Sequence, residues 1–325
     1  MNLTAKIFTD AGAAREHLEQ TRWPHGPVCP HCGVVNEATE IKGRSARAGL
    51  YQCNACRDQF TITVGTVFER SKVPLNKWLL ATYLMASSKK GISAHQIGRT
   101  LGVTYKTAWF MCHRIREAMT EGQGGAPMGG EGKFVEADET VIGGKEKNKR
   151  LSKRNPKNIG AVGKQVCFTL VERSGRARSF HVANVSGKTL RPIIVRNVDR
   201  KSALMTDAAG QYRPVGTEFA RHETVNHGIE EYVRGDAHSN TVEGFFSILK
   251  RGIIGTFHHV SEAHLKRYLA EFDFRYSNRS GLGINDTMRT DEALRGIGGK
   301  RLMYRRARAL CDLIDSSGIP NGSGF

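Results

Sequence analysis

The chain has 325 residues, with 49 Lys and Arg against 31 Asp and Glu, a formal net charge of +18. That excess opposes compaction unless a polyanion neutralises it, and it steers the chain toward phosphate backbones. Hydrophobic residues make up 39%, enough for real cores, yet no run of about 18 apolar residues exists to span a bilayer. No basic amphipathic anchor or lipidation motif favours a membrane surface. The N-terminus, MNLTAKIFTDAGAAREHLEQ, lacks an apolar h-region and carries Asp and Glu, so a cytoplasmic protein is expected. An odd number of cysteines, seven, with no secretory signal points to reduced thiols and a metal site rather than disulfides.

In chain order, residues 1–20 predict an N-terminal helix. Residues 21–70 contain CPHCG and CNACRDQF, two C-x-x-C pairs twenty residues apart. Each pair bends through a tight turn, so Cys29, Cys32, Cys53 and Cys56 can reach one tetrahedral Zn²⁺; a closed four-thiolate site of this kind is structural, and the spacing predicts a zinc ribbon. Residues 71–119 predict three helices: Leu75–Ser87, Ile92–Val103 ended by Gly102, and Thr104–Met119. The inner face of the last is Ala108, Met111, Cys112, Ile115 and Met119. Helix, glycine turn, helix is a helix-turn-helix pattern, although a plain helical spacer shares it. Tyr105, Lys106, Thr107, Phe110, His113 and Arg114 are expected to face outward toward a DNA groove.

Residues 120–132 form a Gly-rich linker. Beyond it the period changes to that of a mixed α/β domain, residues 133–280. FVEADETVI (134–142) alternates as a strand, QVCFTLVER and ARSFHVANV flank the turn at Ser174-Gly175, Lys188–Asn197 is helical, and Ser202–Ala208 is a further strand. A basic loop, Lys145 to Asn158, carries Lys147, Lys149, Arg150, Lys153 and Arg154. Residues 281–325 predict a basic tail, in which Lys300 to Arg308 would hold phosphates.

Two carboxylates stand out. Asp138 lies inside an otherwise apolar strand, where an unpaired charge is costly unless it binds a metal. Asp207 ends a second strand, 69 residues later. The segment from His238 to His259 is an amphipathic helix: Val242, Phe245, Phe246, Leu249 and Ile253 form its apolar face, and Asn240, Glu243, Ser247 and Lys250 a polar stripe. Asn240 and Glu243 also fit a capping box, which would make the stripe ordinary solvated charge. The alternative is that Glu243 or Asn240 joins the two aspartates to hold two Mg²⁺ or Mn²⁺ ions for phosphoryl transfer, as hard oxygen ligands favour.

VEADETVIGGK, MTDAAGQY and HSNTVEGFFSILKRGIIGTFHHVSEAHLKRYLAEFDFRYSNR, with the N-terminal ribbon, resemble bacterial insertion-sequence transposases, most of all insertion-sequence family fifteen-ninety-five. The resemblance runs from about Asp10 to about Leu294. It implies an RNase H-like catalytic domain with a DDE-type metal site, in which Asp138 and Asp207 are the first two acidic ligands. The family's third position is Glu, Asn or His followed by Lys. Both Asn240 and Glu243 are present; the seven-residue step to Lys250 favours Glu243, with Lys250 on a DNA phosphate near the cut. Glu139 and His238 are weaker candidates, Glu139 because it should face away from Asp138. The expected activity is cleavage at terminal inverted repeats and joining of the freed 3′-hydroxyl to target DNA, by a homo-oligomer, with Arg251 and the basic loop on the DNA backbone. Rivals are a transposase-derived regulator that binds without cutting and an RNase H-like nuclease.

Overall fold

The computed structural model describes residues 2–121, 125–144, 146–157, 162–225 and 233–303. Lys145, Cys311 and the basic stretch after Met303 lie outside them. The expected single N-terminal helix is two: α1 (Lys6–Thr9) and α2 (Ala11–Arg22). Asp10 divides them, because its carboxylate accepts a bond from Ala13 N (2.7 Å) and starts the second helix as its N-cap. The ribbon follows as an antiparallel sheet of β1 (Ala38–Glu40), β2 (Tyr51–Cys53) and β3 (Gln59–Phe60).

Helices α3 (Leu75–Ser87), α4 (Ala94–Leu101) and α5 (Tyr105–Ala118) lie within a residue or two of the expected bounds. Gly102 makes the turn between α4 and α5 at φ +61°, a left-handed conformation that costs glycine little. Thr104 then caps α5 by accepting from Thr107 N (3.3 Å). One hydrophobic core runs through α1, α2, the ribbon and α3–α5, including Leu18, Phe60, Trp78 and Ile115.

The second body is built on a five-stranded sheet of β4 (Phe134–Ile142), β5 (Gln165–Glu172), β6 (Ala177–Val182), β7 (Ala203–Asp207) and β8 (Arg221–Val225). Its order is β6-β5-β4-β7-β8; β5 pairs antiparallel with both β4 and β6, while β7 and β8 run parallel to β4. Helices α6 (Gly187–Asn197) and α7 (Arg213–Gly216) cover one face through Leu190, Ile194 and Val215. A short hairpin, β9 (Val233–Arg234) and β10 (Ala237–His238), leads into α8 (Asn240–Gly252). With α9 (Glu262–Ser277), α8 covers the other face through Val242, Phe245, Phe246 and Leu249. After Gly252 the chain makes a π-helical turn, Ile253–Phe257.

Two expected boundaries change. The end of the linker belongs to this second body: Met128 is fully buried, and its N donates to Asn197 O (2.7 Å). The expected basic tail begins instead with α10 (Asp286–Arg295), whose Ala293 and Leu294 complete the N-terminal core. Lys300, expected on phosphate, donates to Ala118 O (3.0 Å) and Thr120 O (2.6 Å). The two bodies meet where Arg116 of α5 donates to Glu271 of α9 at 2.6 Å, and Arg275 binds the same carboxylate. Both sides of that contact are buried, so the pair is strongly coupled to the packing around it. Among the described residues no helix is long and apolar enough to cross a membrane.

Candidate active site and metal centre

The ribbon brings its four thiols together, with their sulfurs within 4.8 Å of one another. The Cys29–Cys56 and Cys32–Cys53 sulfurs are 3.6 Å apart. A tetrahedral ion with Zn–S bonds of about 2.3 Å needs edges of about 3.8 Å, so the donor set fits structural zinc. Each knuckle closes alike: Gly33 N donates to Cys29 O (2.9 Å) and Arg57 N to Cys53 O (3.0 Å). Trp23 packs edge-on against Tyr51 and Phe60, at 5.6 and 5.8 Å. Chelation is therefore expected to release one zinc per chain and shift tryptophan emission to the red. Trp23→Phe should lack most of that shift; an unchanged spectrum after complete zinc removal would contradict a structural ion.

In the sheet, β4 and β7 pair in parallel with a constant offset of 69, as in Val135 opposite Leu204 and Glu136 opposite Met205. Continued two residues, that offset sets Asp138 level with Asp207, on neighbouring strands and on the same face. This is the face that α8 covers. Burial pushes the Asp138 carboxyl up to about 7; the Glu139 amide bond (2.7 Å) opposes this, and the negative charges of Glu139, Asp207 and Glu243 add to it. Asp207 accepts from Ala209 N at 3.1 Å. Glu139 projects to the opposite face, as alternation requires, where Gln211 Nε2 (3.0 Å) and the Tyr212 hydroxyl donate to it.

Glu243 is exposed on the first turns of α8 and accepts from Ser239 Oγ (3.0 Å). Asn240 and Lys250 are also exposed on this helix. The expected capping box is corrected: Asn240 is the first helical residue, and Ser239 occupies the N-cap with its side chain on Glu243 rather than on a backbone amide of the first turn. The bonds come from across the sheet. Glu136, with no exposed side-chain surface, accepts from Thr241 N (2.8 Å), Val242 N (2.9 Å) and Thr241 Oγ1 (2.8 Å). A carboxylate there satisfies otherwise open amides and complements the helix dipole. Arg173 Nε donates to Glu136 at 2.6 Å, and its Nη2 binds Asp236 O and His238 O. His238 Nδ1 lies 3.1 Å from Glu136 Oε1 but off the line of a hydrogen bond. Sequence reading missed Glu136. The signal was there: two residues before Asp138 on an alternating strand, it shares Asp138's face.

On the helical unit the first turn of α5 is open. Tyr105 is 49% exposed and stacks on His95 of α4 at 4.1 Å, beside exposed Lys106 and half-buried Thr107. Arg114 and His113, expected outward, are buried. Arg114 lies over Trp78 and donates to Glu69 O (2.6 Å); His113 is enclosed by Trp109, His264 and Tyr268. Helix α9 covers the His113 side of α5, which periodicity within α5 does not reveal. Lys147, Lys149, Arg150, Lys153 and Arg154 are exposed on the loop that leaves β4 four residues after Asp138. Arg154 curls back onto Lys147 O (2.6 Å) and Lys149 O (2.9 Å), and Lys149 pairs with Glu146 (2.7 Å). Arg251 turns back onto Ser247 of its own helix.

Residues 128–277 match the ISXO2-like transposase domain, and residues 9–59 match the transposase zinc-ribbon domain. A relative described as "Uncharacterized protein in transposable element ISH50", from Halobacterium salinarum, is 31% identical over 282 residues, 83% of this chain and 92% of the relative. The chain belongs to this ISXO2-like transposase family, the one its motifs resemble. A solved structure described as a simian T-cell lymphotropic virus intasome in complex with PP2A regulatory subunit B56 gamma aligns at a TM-score of 0.27 and 17% identity, over 55% of this chain and 63% of that one. A superposition that poor has no weight for fold or function.

Proposed function

We propose that the protein is a DNA transposase that binds the terminal inverted repeats of an insertion sequence and catalyses metal-dependent cleavage and strand transfer. The observation that supports this most is the desolvated Asp138 carboxyl, crowded by the charges of Asp207 and Glu243 on a shared face in a chain of this family. Like charges gathered at a half-buried place call for a cation, and an all-oxygen donor set suits Mg²⁺ or Mn²⁺. When bound, such ions supply an activated water or 3′-hydroxyl and stabilise the leaving oxygen. The sheet order, third-second-first-fourth-fifth in chain sequence with the last two strands parallel to the first, supports an RNase H-like reading.

In this reading Asp138 and Asp207 hold the metals and Glu243 is the third ligand, kept in orientation by Ser239. Asn240 stands one turn earlier, at the helix start. Lys250, two turns beyond Glu243, holds a phosphate beside the scissile bond. The first turn of α5, with Tyr105, Lys106 and Thr107, meets the repeat DNA, and Lys147, Lys149, Arg150, Lys153, Arg154 and Arg251 neutralise backbone phosphates without reading sequence. Joining two ends requires a multimer on DNA.

The test is a repeat-end duplex incubated with the protein in Mg²⁺, in Mn²⁺ and in chelator. A nick at the repeat end and joined products, both requiring metal, are expected. Tight binding without a cut in either metal would identify a regulator instead, and faster cutting of an RNA–DNA hybrid would identify a nuclease.

The raised Asp138 pKa sets a pH dependence. In metal-free protein a carboxyl raised from about 3.8 to about 7 favours the folded state at low pH, and that stability is lost as pH rises through 7. Below 7 a metal must also displace the proton. Mg²⁺ should therefore raise the melting temperature more at pH 8 than at pH 6; equal increments at both would count against Asp138 as a ligand.

A further inference from the structure

A cavity of about 360 Å³ lies between the C-terminal end of α3 and the outer side of α8 and α9. It falls on the opposite side of α8 from Glu243, outside the carboxylate cleft, and its volume is within the range of small-ligand sites. Lys89, Arg275, Arg279 and Arg289 line it against a single carboxylate, Asp286. Asp286 already pairs with Arg289 at 2.6 Å. Behind the wall, Glu271 is shared by Arg116 and Arg275. Two carboxylates thus face five cations, an excess that a bound anion would balance.

Arg275 is 7% exposed. Its Nη1 is engaged by Glu271, but Nε and Nη2 are shielded from water and have no hydrogen-bond partner. These two N–H groups share one edge of the guanidinium, the edge that grips an oxyanion with two parallel bonds. Leaving buried cationic donors unsatisfied is costly, so an arrangement that keeps them points to a ligand. The rest of the wall suits a flat ring. Arg275 lies over Phe272 at 4.6 Å, and Arg279 stacks on Tyr276 at 4.2 Å.

We propose that this cavity binds a phosphate monoester bearing a planar ring, the chemistry of a nucleoside monophosphate, with Arg275 taking the phosphate and the ring lying against one side of the stacked Tyr276–Arg279 pair. Lys89, at the exposed mouth, adds charge at the entrance. The same monoester comes from a free nucleotide or from the 5′-phosphorylated end of a DNA strand whose terminal base has left its stack. The inference does not depend on the cleavage reading, since none of these residues belongs to the carboxylate cleft.

Isothermal titration of the full chain with dAMP, with deoxyadenosine and with a 5′-phosphorylated single strand tests it. The phosphate should tighten binding of dAMP at least tenfold over deoxyadenosine. Arg275→Lys keeps a cation against Glu271 but loses the two-pronged edge, and should weaken dAMP at least tenfold. Ile248→Trp fills the cavity from its wall with every charge retained and should abolish dAMP binding, as a control that does not disturb the ion cluster. Binding of the strand but not of dAMP, lost in Ile248→Trp, would assign the site to DNA; binding of dAMP as well would assign it to free nucleotide. Failure of both ligands to bind, or equal affinity in parent and Ile248→Trp, overturns the proposal.

Discussion

Asp138→Asn is expected to lower cleavage and strand transfer by on the order of 10³-fold or more, with folding and repeat-end binding close to the parent's. Asparagine has nearly the same shape and still accepts the Glu139 amide bond made at 2.7 Å. What it removes is charge. The β4–β7 register, continued two residues, sets Asp138 level with Asp207, and the Asp138 carboxyl is already raised by burial and by neighbouring carboxylates, so the substitution lowers the negative potential that would attract metal. Two further outcomes separate this from simple damage. Metal-free Asp138→Asn should melt higher than the parent at pH 8, because a desolvated, repelled charge has gone, and its Mg²⁺-induced rise in melting temperature should vanish. Asp207→Asn should match it in activity. Retention of more than about a tenth of parental activity by either variant would sink the metal roles given to both aspartates.

Glu136→Ala is expected to cost about 3–5 kcal/mol of stability, the range for breaking a buried ion pair from one side. The substitution strands Arg173, which binds Glu136 at 2.6 Å, and opens the Thr241 and Val242 amides. Cleavage should fall as well, since Glu136 anchors the start of the helix that presents Glu243. Glu136→Gln keeps an acceptor oxygen but not the charge, and should lie between the two in both measurements. Urea unfolding and single-turnover cleavage read the two effects separately. Parental stability in Glu136→Ala would show that α8 is held by its apolar face alone.

The sequence carries much of this architecture, and the failures have physical reasons. Helices α3 and α5 and strand β4 were legible because each has its own period and its own stops. The step of 69 residues between the two aspartates turns out to be the register of β4 against β7, a numerical coincidence only when the sheet is unseen. Strand β8, reading RHETV, was not legible: three of its five residues are ionisable, and it sits at the sheet edge where burial imposes little pattern. Arg114 and His113 were misplaced because a helix can be covered on more than one side: α9, some 150 residues downstream, covers His113, and Trp78 with the Glu69 carbonyl covers Arg114. The start of α8 was misread for a related reason. Local capping chemistry near Asn240 is plausible in sequence, but Glu136 supplies the acceptors from a strand more than a hundred residues earlier.

The joint between the two bodies has a geometric consequence. Arg116 projects from the same helix whose opening turn bears Tyr105 and Lys106, and it is locked to Glu271 with no exposed carboxylate surface on the partner. A buried, multiply paired joint does not swivel the way a flexible tether would. Under the transposase reading, the span from the bases contacted by α5 to the carboxylate cleft is then a fixed length and a fixed azimuth around the duplex. Inserting half a helical repeat, about 5 base pairs, between the recognised sequence and the cut should block cleavage, whereas about 10 should turn the scissile phosphate back to the correct side at the wrong distance. The chain would act as a calliper, with its gap set by a glutamate shared between two arginines.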